Sequence, residues 1–200
     1  MCSSDLVFSK RLSLVVGGPG TGKTYSVARM LMALLTDAAE RGATLKIALA
    51  APTGKAKARL KESIDAAVAK VDAEQPGILP DLVRAQLEAL EPTTVHGLLG
   101  SAHPARQRFR HDAHNPLPHD LVIIDETSMV SAPLLARLVE AVPLSARLVF
   151  IGDPDQLESV ELGAVLGDVV QASESSSSPL AGHSRSEEHT SELQSLAYLV

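Results

Sequence analysis

Two hundred residues with 45% apolar and 21% charged side chains suit a soluble globular protein, with one full core or barely two small ones. The net charge of −6 argues against wholesale coating of nucleic acid but leaves room for a local basic groove. The sequence has no apolar run near the ~18 residues of a membrane span and no charged-then-apolar secretory start. Its one cysteine, Cys2, excludes an internal disulfide framework and fits a reducing compartment.

In chain order, Leu12–Val16 is an apolar strand, and Lys23 to Leu35 carries Val27, Met30, Leu31, Leu34 and Leu35 on one helical face. Leu45–Ala50 is a second strand. A helix runs from Gly54 to about Val71, with Ala58, Leu60, Ile64, Ala67, Val68 and Val71 apolar. Pro76 and Gly77 interrupt it, Leu79 to Leu90 forms the next helix, and Pro92 stops that one. Thr93–Gly100 begins a short element, and residues 101–120, rich in Pro, His and Arg, read as loop or hairpin. Leu121–Ile124 is a wholly apolar strand. Ser131 can cap a helix bearing Leu134, Leu135, Leu138, Val139 and Val142. Arg147–Ile151 is the fourth strand, Gly163 to Val170 suits a last helix, and Ser175–Ser178 is low-complexity. Short apolar strands separated by helices predict an α/β fold, a mostly parallel sheet with helices on both faces. Ligands in such sheets sit beyond the carboxyl ends of the strands, which is where the polar motifs fall: after Val16, Ala50, Ile124 and Ile151.

Gly17, Gly18, Pro19, Gly20, Thr21, Gly22, Lys23 and Thr24 read GGPGTGKT, which fits G-x-x-x-x-G-K-[ST] between a strand and a helix. Glycines let backbone N–H groups converge on phosphate oxygens, and the helix start favours an anion. Lys23 can reach the β- and γ-phosphates of ATP and Thr24 can hold Mg²⁺, with Tyr25 next in line on the helix. Asp125, after strand Leu121–Ile124, is the expected second Mg²⁺ ligand, and Glu126 the group that polarises the attacking water. A solvated acidic turn is the bland alternative. Gln156, in Gly152–Leu157, can sense the γ-phosphate, although Asp-Pro-Asp is also an ordinary turn.

Pro52, Thr53, Gly54 and Lys55 open the helix after strand two and offer a second anion site. With the nucleotide assigned to the first loop, this one suits a nucleic-acid backbone. Lys55, Lys57, Arg59 and Lys61 then form a basic surface, or merely a solvated helix face. Thr94 and His96 can line the same strand path, or simply cap a short helix. Arg106, Arg108, Phe109 and Arg110 offer charge and a stacking ring, or a plain surface hairpin. His103, His111, His114 and His119 lack the cysteines and clean spacing of a zinc site.

Both ends look foreign. Arg185–Ser195, RSEEHTSELQS, resembles the translation of a sequencing-library adapter, Tyr198–Val200 its next constant stretch, and Met1–Leu6 its opposite arm. The expected organisation is therefore adapter-derived residues 1–6, one ATPase domain over 7–171, a Ser-rich linker over 172–184, and a second adapter-derived stretch over 185–200. Both ends are expected to be disordered.

The ordered strings GGPGTGKT, APTGKAKARL, TTVHGLLG, IIDETSM and IGDPDQLESVELGAVLGDV resemble RecD-like superfamily 1 DNA helicases, the exodeoxyribonuclease V alpha subunits, over nearly all of residues 7–170. Thr127 departs from the alanine usual there. The resemblance implies a RecA-like motor domain, ATP and Mg²⁺ as cofactors, and 5′-to-3′ movement on single-stranded DNA. It also implies a role in break repair in the bacterial cytoplasm, with the beta and gamma subunits of exodeoxyribonuclease V as partners. A preceding domain with an adenine-reading glutamine, and a second motor domain with the completing arginines, are expected beyond this stretch. Relaxase-type helicases share these motifs, and a non-translocating P-loop switch remains a different class of reading.

Overall fold

In the computed structural model, residues 11–17, 22–101, 109–153 and 196–199 are described, with backbone alone at Val16, Thr24 and 196–199. The strands are β1 (Leu12–Val16), β2 (Ile47–Ala51), β3 (Thr93–Thr94), β4 (Leu121–Ile124), β5 (Arg147–Gly152) and β6 (Leu196–Leu199). They form one sheet in the order β3-β2-β4-β5-β1-β6, in which every pairing among β1 to β5 is parallel. The helices are α1 (Lys23–Glu40), α2 (Gly54–Glu74), α3 (Asp81–Glu88), α4 (Val95–Leu98) and α5 (Ala132–Ala141), with a 3₁₀ turn at Thr127–Met129. The expected α/β sheet is present. The expected helix over Gly163–Val170 and the Ser-rich stretch lie outside the described residues.

Strand residues alternate between two cores. Val15, Leu49, Ile123, Val149 and Ile151 face α1, α2 and α3 through Leu31, Leu35, Leu60, Ile64, Val83 and Leu87. Leu14, Ala50, Val122, Ile124, Leu148 and Phe150 face the other way, onto Val95, Leu99, Leu117, Val130 and Leu138. Covering both faces is what a parallel sheet of apolar strands requires. Each fully buried Leu or Ile contributes roughly 1.5–3 kcal/mol. No helix among the described residues is long and apolar enough to cross a membrane.

Several local readings shift. α1 runs beyond Leu35 because Ala38 continues its buried stripe. It stops at Gly42 (φ +66), whose N–H reaches Ala39 O while that of Ala43 reaches Ala38 O. On α2 the buried stripe starts at Ala56, not Ala58, which is exposed. α3 excludes Leu79, since a residue before proline disfavours helical backbone and Pro80 takes the cap position. Ser131 stands at the cap of α5 without a side-chain hydrogen bond, and Val139 is 51% exposed. Residues 196–199, expected to be disordered, form β6, antiparallel on β1 with Val16 opposite Leu196. The physical reason is the outer edge of β1, whose N–H and C=O groups need partners.

Candidate functional site

The parallel strands bring five chain turns to one edge of the sheet. β5 lies between β1 and β4, so the chain leaves Asp153 between the glycine loop and the acidic turn at Asp125. β2 and β3 form the other half of the edge, with Ala51 opposite Thr94.

Gly17 leaves β1 buried, and its N–H donates to Gly152 O at 3.3 Å, tying the loop to β5. Gly18, Pro19, Gly20 and Thr21 lie outside the described residues. Gly22 re-enters at φ +78, left-handed backbone that glycine adopts without a Cβ penalty, and α1 begins at the next residue. Thr24 is in the first turn of α1. The Lys23 ammonium reaches back and donates to Gly17 O, so it lies across the mouth of the loop. Tyr25 is half-buried against the first core, and the Lys70 ammonium is 5.1 Å from its ring centroid.

Asp125 is 8% exposed, and its Oδ1 accepts from the Glu126 N–H at 2.9 Å. Its own N–H donates to Ala50 O at 2.9 Å. Burial pushes its carboxyl group above the ordinary carboxylate range. The Glu126 N–H opposes that shift, the Glu126 charge adds to it, and the Lys23 ammonium opposes it. Glu126 follows at φ +49, the one non-glycine residue with positive φ among those described. Such left-handed backbone costs roughly 1–2 kcal/mol in an L-residue. The 3₁₀ turn holds it: Met129 N–H donates to Glu126 O at 3.0 Å. Thr127, fully buried, donates its hydroxyl to Ile124 O at 3.1 Å. The hydroxyl that distinguishes it from alanine is therefore used inside the turn.

Asp153, at the end of β5, is 4% exposed. Its sequence signal is an acidic residue directly after an apolar strand, which the pattern Asp-Pro-Asp disguises as an ordinary turn. Gln156 lies outside the described residues.

A divalent cation suits this arrangement. Asp125 is a buried carboxylate whose negative charge is disfavoured by its surroundings, and a cation would offset that. Among the described residues no three His, Cys, Asp or Glu side chains form a metal-holding group. Mg²⁺ is commonly held by one or two carboxylates together with phosphate and water oxygens.

On the β2 and β3 side, Thr53 caps α2: its Oγ1 accepts from Ala56 N–H at 3.2 Å. Thr53, Gly54 and Lys55 are exposed, and Pro52 is half-buried. Thr94 Oγ1 accepts from Gly97 N–H at 3.0 Å, and His96 is exposed beside it. The expected basic surface loses one member. Lys61 Nζ donates to Glu88 O at 2.8 Å and pairs with Asp65 at 3.2 Å, so it serves the α2–α3 junction. Phe109 is half-buried on the second core, 6.0 Å from the His96 ring. Arg106 and Arg108 lie outside the described residues.

The chain is 48% identical over 170 residues to the RecBCD enzyme subunit RecD of Mycolicibacterium smegmatis, covering 84% of this chain and 29% of that protein. It is 36% identical over 168 residues to the ATP-dependent RecD2 DNA helicase of Deinococcus radiodurans, covering 84% of this chain and 19% of that one. Among solved structures, T4 UvsW matches with a TM-score of 0.48 at 11% identity, covering 82% of this chain and 31% of that chain. The chain thus spans less than a third of the length of these relatives. The AAA domain family matches residues 4–162, from before the glycine loop to beyond β5, and the chain belongs to that family.

Proposed function

We propose that this chain carries an ATP-dependent DNA helicase motor domain, in which one edge of the sheet holds ATP and Mg²⁺ on β1, β5 and β4 and single-stranded DNA on β2 and β3. The observation that supports it best is the strand order, with Lys23, Asp153 and Asp125 on one half of the edge and Thr53, Lys55, Thr94 and His96 on the other.

In this reading the backbone N–H groups that follow Gly17, up to Thr24 at the start of α1, hold the phosphates, while the Gly17 N–H stays on Gly152 O. Lys23 exchanges its bond to Gly17 O for phosphate oxygens. Thr24 and Asp125 would hold Mg²⁺, which would supply charge neutralisation at the phosphates. Glu126 orients the attacking water and takes its proton. Its left-handed backbone turns the chain sharply just past Asp125, so adjacent residues perform separate tasks. Gln156 reads the γ-phosphate, and its difference between ATP and ADP states moves the DNA-contacting half. The N–H groups of Gly54 and Lys55 hold a DNA phosphate at the start of α2, with Thr53 capping that helix.

The similarity to a RecBCD enzyme subunit supports a place in a multi-subunit enzyme. The motifs' resemblance to RecD-like helicases adds 5′-to-3′ movement in bacterial double-strand break repair, with the beta and gamma subunits of exodeoxyribonuclease V as partners in the cytoplasm. The motor occupies residues 7–171, and residues 1–6 and 185–200 are foreign to it. Catalytic arginines of phosphoryl-transfer systems are worth about 10³- to 10⁵-fold in rate. In RecD-like helicases they belong to a second motor domain, so these 200 residues alone bind Mg–ATP weakly, hydrolyse it slowly and do not unwind DNA. An ATPase assay with single-stranded DNA tests this. DNA-stimulated turnover at ordinary enzyme rates of ~1–10³ s⁻¹ would refute the half-site.

A further inference from the structure

His96 sits on a short, tightly built turn. α4 ends in a Schellman motif: Gly100 N–H donates to Gly97 O and Ser101 N–H to His96 O, each at 3.0 Å, with Gly100 at φ +72. Gly97 admits no side chain, because a Cβ there would stand 2.6 Å from Thr93 Oγ1 and 3.1 Å from Thr94 Oγ1. The backbone carrying His96 is held after it by the Schellman bonds and before it by the Thr94 cap, whose Oγ1 accepts from Gly97 N–H at 3.0 Å.

The segment after the loop returns to this turn. Arg110 and His111 both donate their N–H groups to Leu99 O at 3.0 Å. Gly100 makes the approach possible, since a Cβ on it would meet Arg110 Cβ at 2.7 Å. The result is that Phe109, anchored on the second core, holds its ring 6.0 Å from the His96 imidazole at an interplanar angle of 54°. That is the tilted geometry favoured by aromatic pairs. Phe109 is thus a support behind the histidine ring, while the histidine is the exposed member.

An exposed flat ring, braced from behind and on a rigid turn, is what a nucleobase needs to stack on. We infer that His96 and Phe109 form a braced shelf that stacks one base of single-stranded DNA, with Phe109 as a positioning residue that does not itself touch the strand. This rests on the proposed DNA path over β2 and β3. It adds a base contact to a path otherwise made of phosphate contacts, and gives residues 109–111 a reason to be tied to α4.

The test is equilibrium binding of the full chain to two fluorescein-labelled strands: an oligothymidylate, and the same backbone with abasic sites. Phe109→Leu and His96→Ala each weaken oligothymidylate binding by about tenfold, the scale of one lost stack. Phe109→Tyr and His96→Tyr, which keep a ring, bind within about twofold of the unsubstituted chain. All variants bind the abasic strand alike, with an unchanged salt dependence, because no phosphate contact is lost. Unaltered oligothymidylate binding in His96→Ala, or an equal loss on both strands, overturns the shelf. Should Phe109→Leu fail to fold by circular dichroism, the His96 pair decides alone. If Lys55→Ala weakens both strands while the His96 and Phe109 variants change neither, only the shelf fails. If the unsubstituted chain binds neither strand, the DNA path fails and the shelf with it.

Discussion

Replacing Asp125 with asparagine separates what the site costs the fold from what it does. The side chain is 8% exposed, and its charge is disfavoured by burial and by the neighbouring Glu126. Asparagine has the same shape, and its Oδ1 can still accept the Glu126 N–H that Asp125 accepts at 2.9 Å. The substitution therefore removes a strained charge while keeping the turn. Single stabilising substitutions are typically worth about 0.5–2 kcal/mol. For a chain of 200 residues that corresponds to a Tm rise of about 1–8 °C. Ligand reverses the order. Mg–ATP at about one hundred times its Kd stabilises the unsubstituted chain by about 2.7 kcal/mol, so it overtakes a variant that binds Mg–ATP poorly. Thermal unfolding of both proteins, with and without Mg–ATP, measures all four corners. A lower Tm for Asp125→Asn without ligand would refute the burial argument. An equal Mg–ATP shift in both proteins would refute the assignment of Asp125 to the cation.

Thr53→Ala removes the cap of α2 and costs about 1 kcal/mol, lowering Tm by about 2–4 °C, whereas Thr53→Ser restores it. If serine and alanine unfold together, the hydroxyl is not capping the helix. His119 gives a pH dependence. Burial, then the nearby His111 charge, lowers its pKa below the ordinary 6.5, with Asp120 opposing and Lys46 adding. The folded chain then binds fewer protons than the unfolded chain, so this contribution is intact above pH 6.5 and is lost as pH falls through the folded-state value. Urea unfolding at pH 7.5 and 5.5 is expected to show a smaller acid loss for His119→Gln, and identical losses would remove His119 as the cause.

Much of the sheet was legible because wholly apolar runs such as Leu121–Ile124 have only one comfortable place, a strand buried on both faces. The position of the motifs followed, since parallel strands send their carboxyl ends to one edge. Features set by distant chain were not legible. Ala58 and Ala56 are chemically the same residue, and only the direction of α2 on the sheet buries Ala56 and exposes Ala58. Lys61 looks basic and free until α3 brings Glu88 O to it. The left-handed Glu126 has no sequence signal, because the local turn favours it against the residue's own preference. In sequence Phe109 is only an aromatic near a basic loop, and its approach to His96 depends on Gly100 admitting Arg110. β6 answers the open edge of β1, a need invisible within residues 196–199 themselves.

In the proposed motor, one sheet edge carries two separable anion sites, for nucleotide on the β1 side and for DNA on the β2 side. Binding of Mg–ATP and of an oligothymidylate to Lys23→Ala and Lys55→Ala tests it directly. Lys23→Ala is expected to lose Mg–ATP while keeping DNA affinity within about twofold, and Lys55→Ala to weaken DNA by about three- to tenfold while keeping Mg–ATP. Loss of both ligands in either properly folded variant, or of neither in both, would contradict the account.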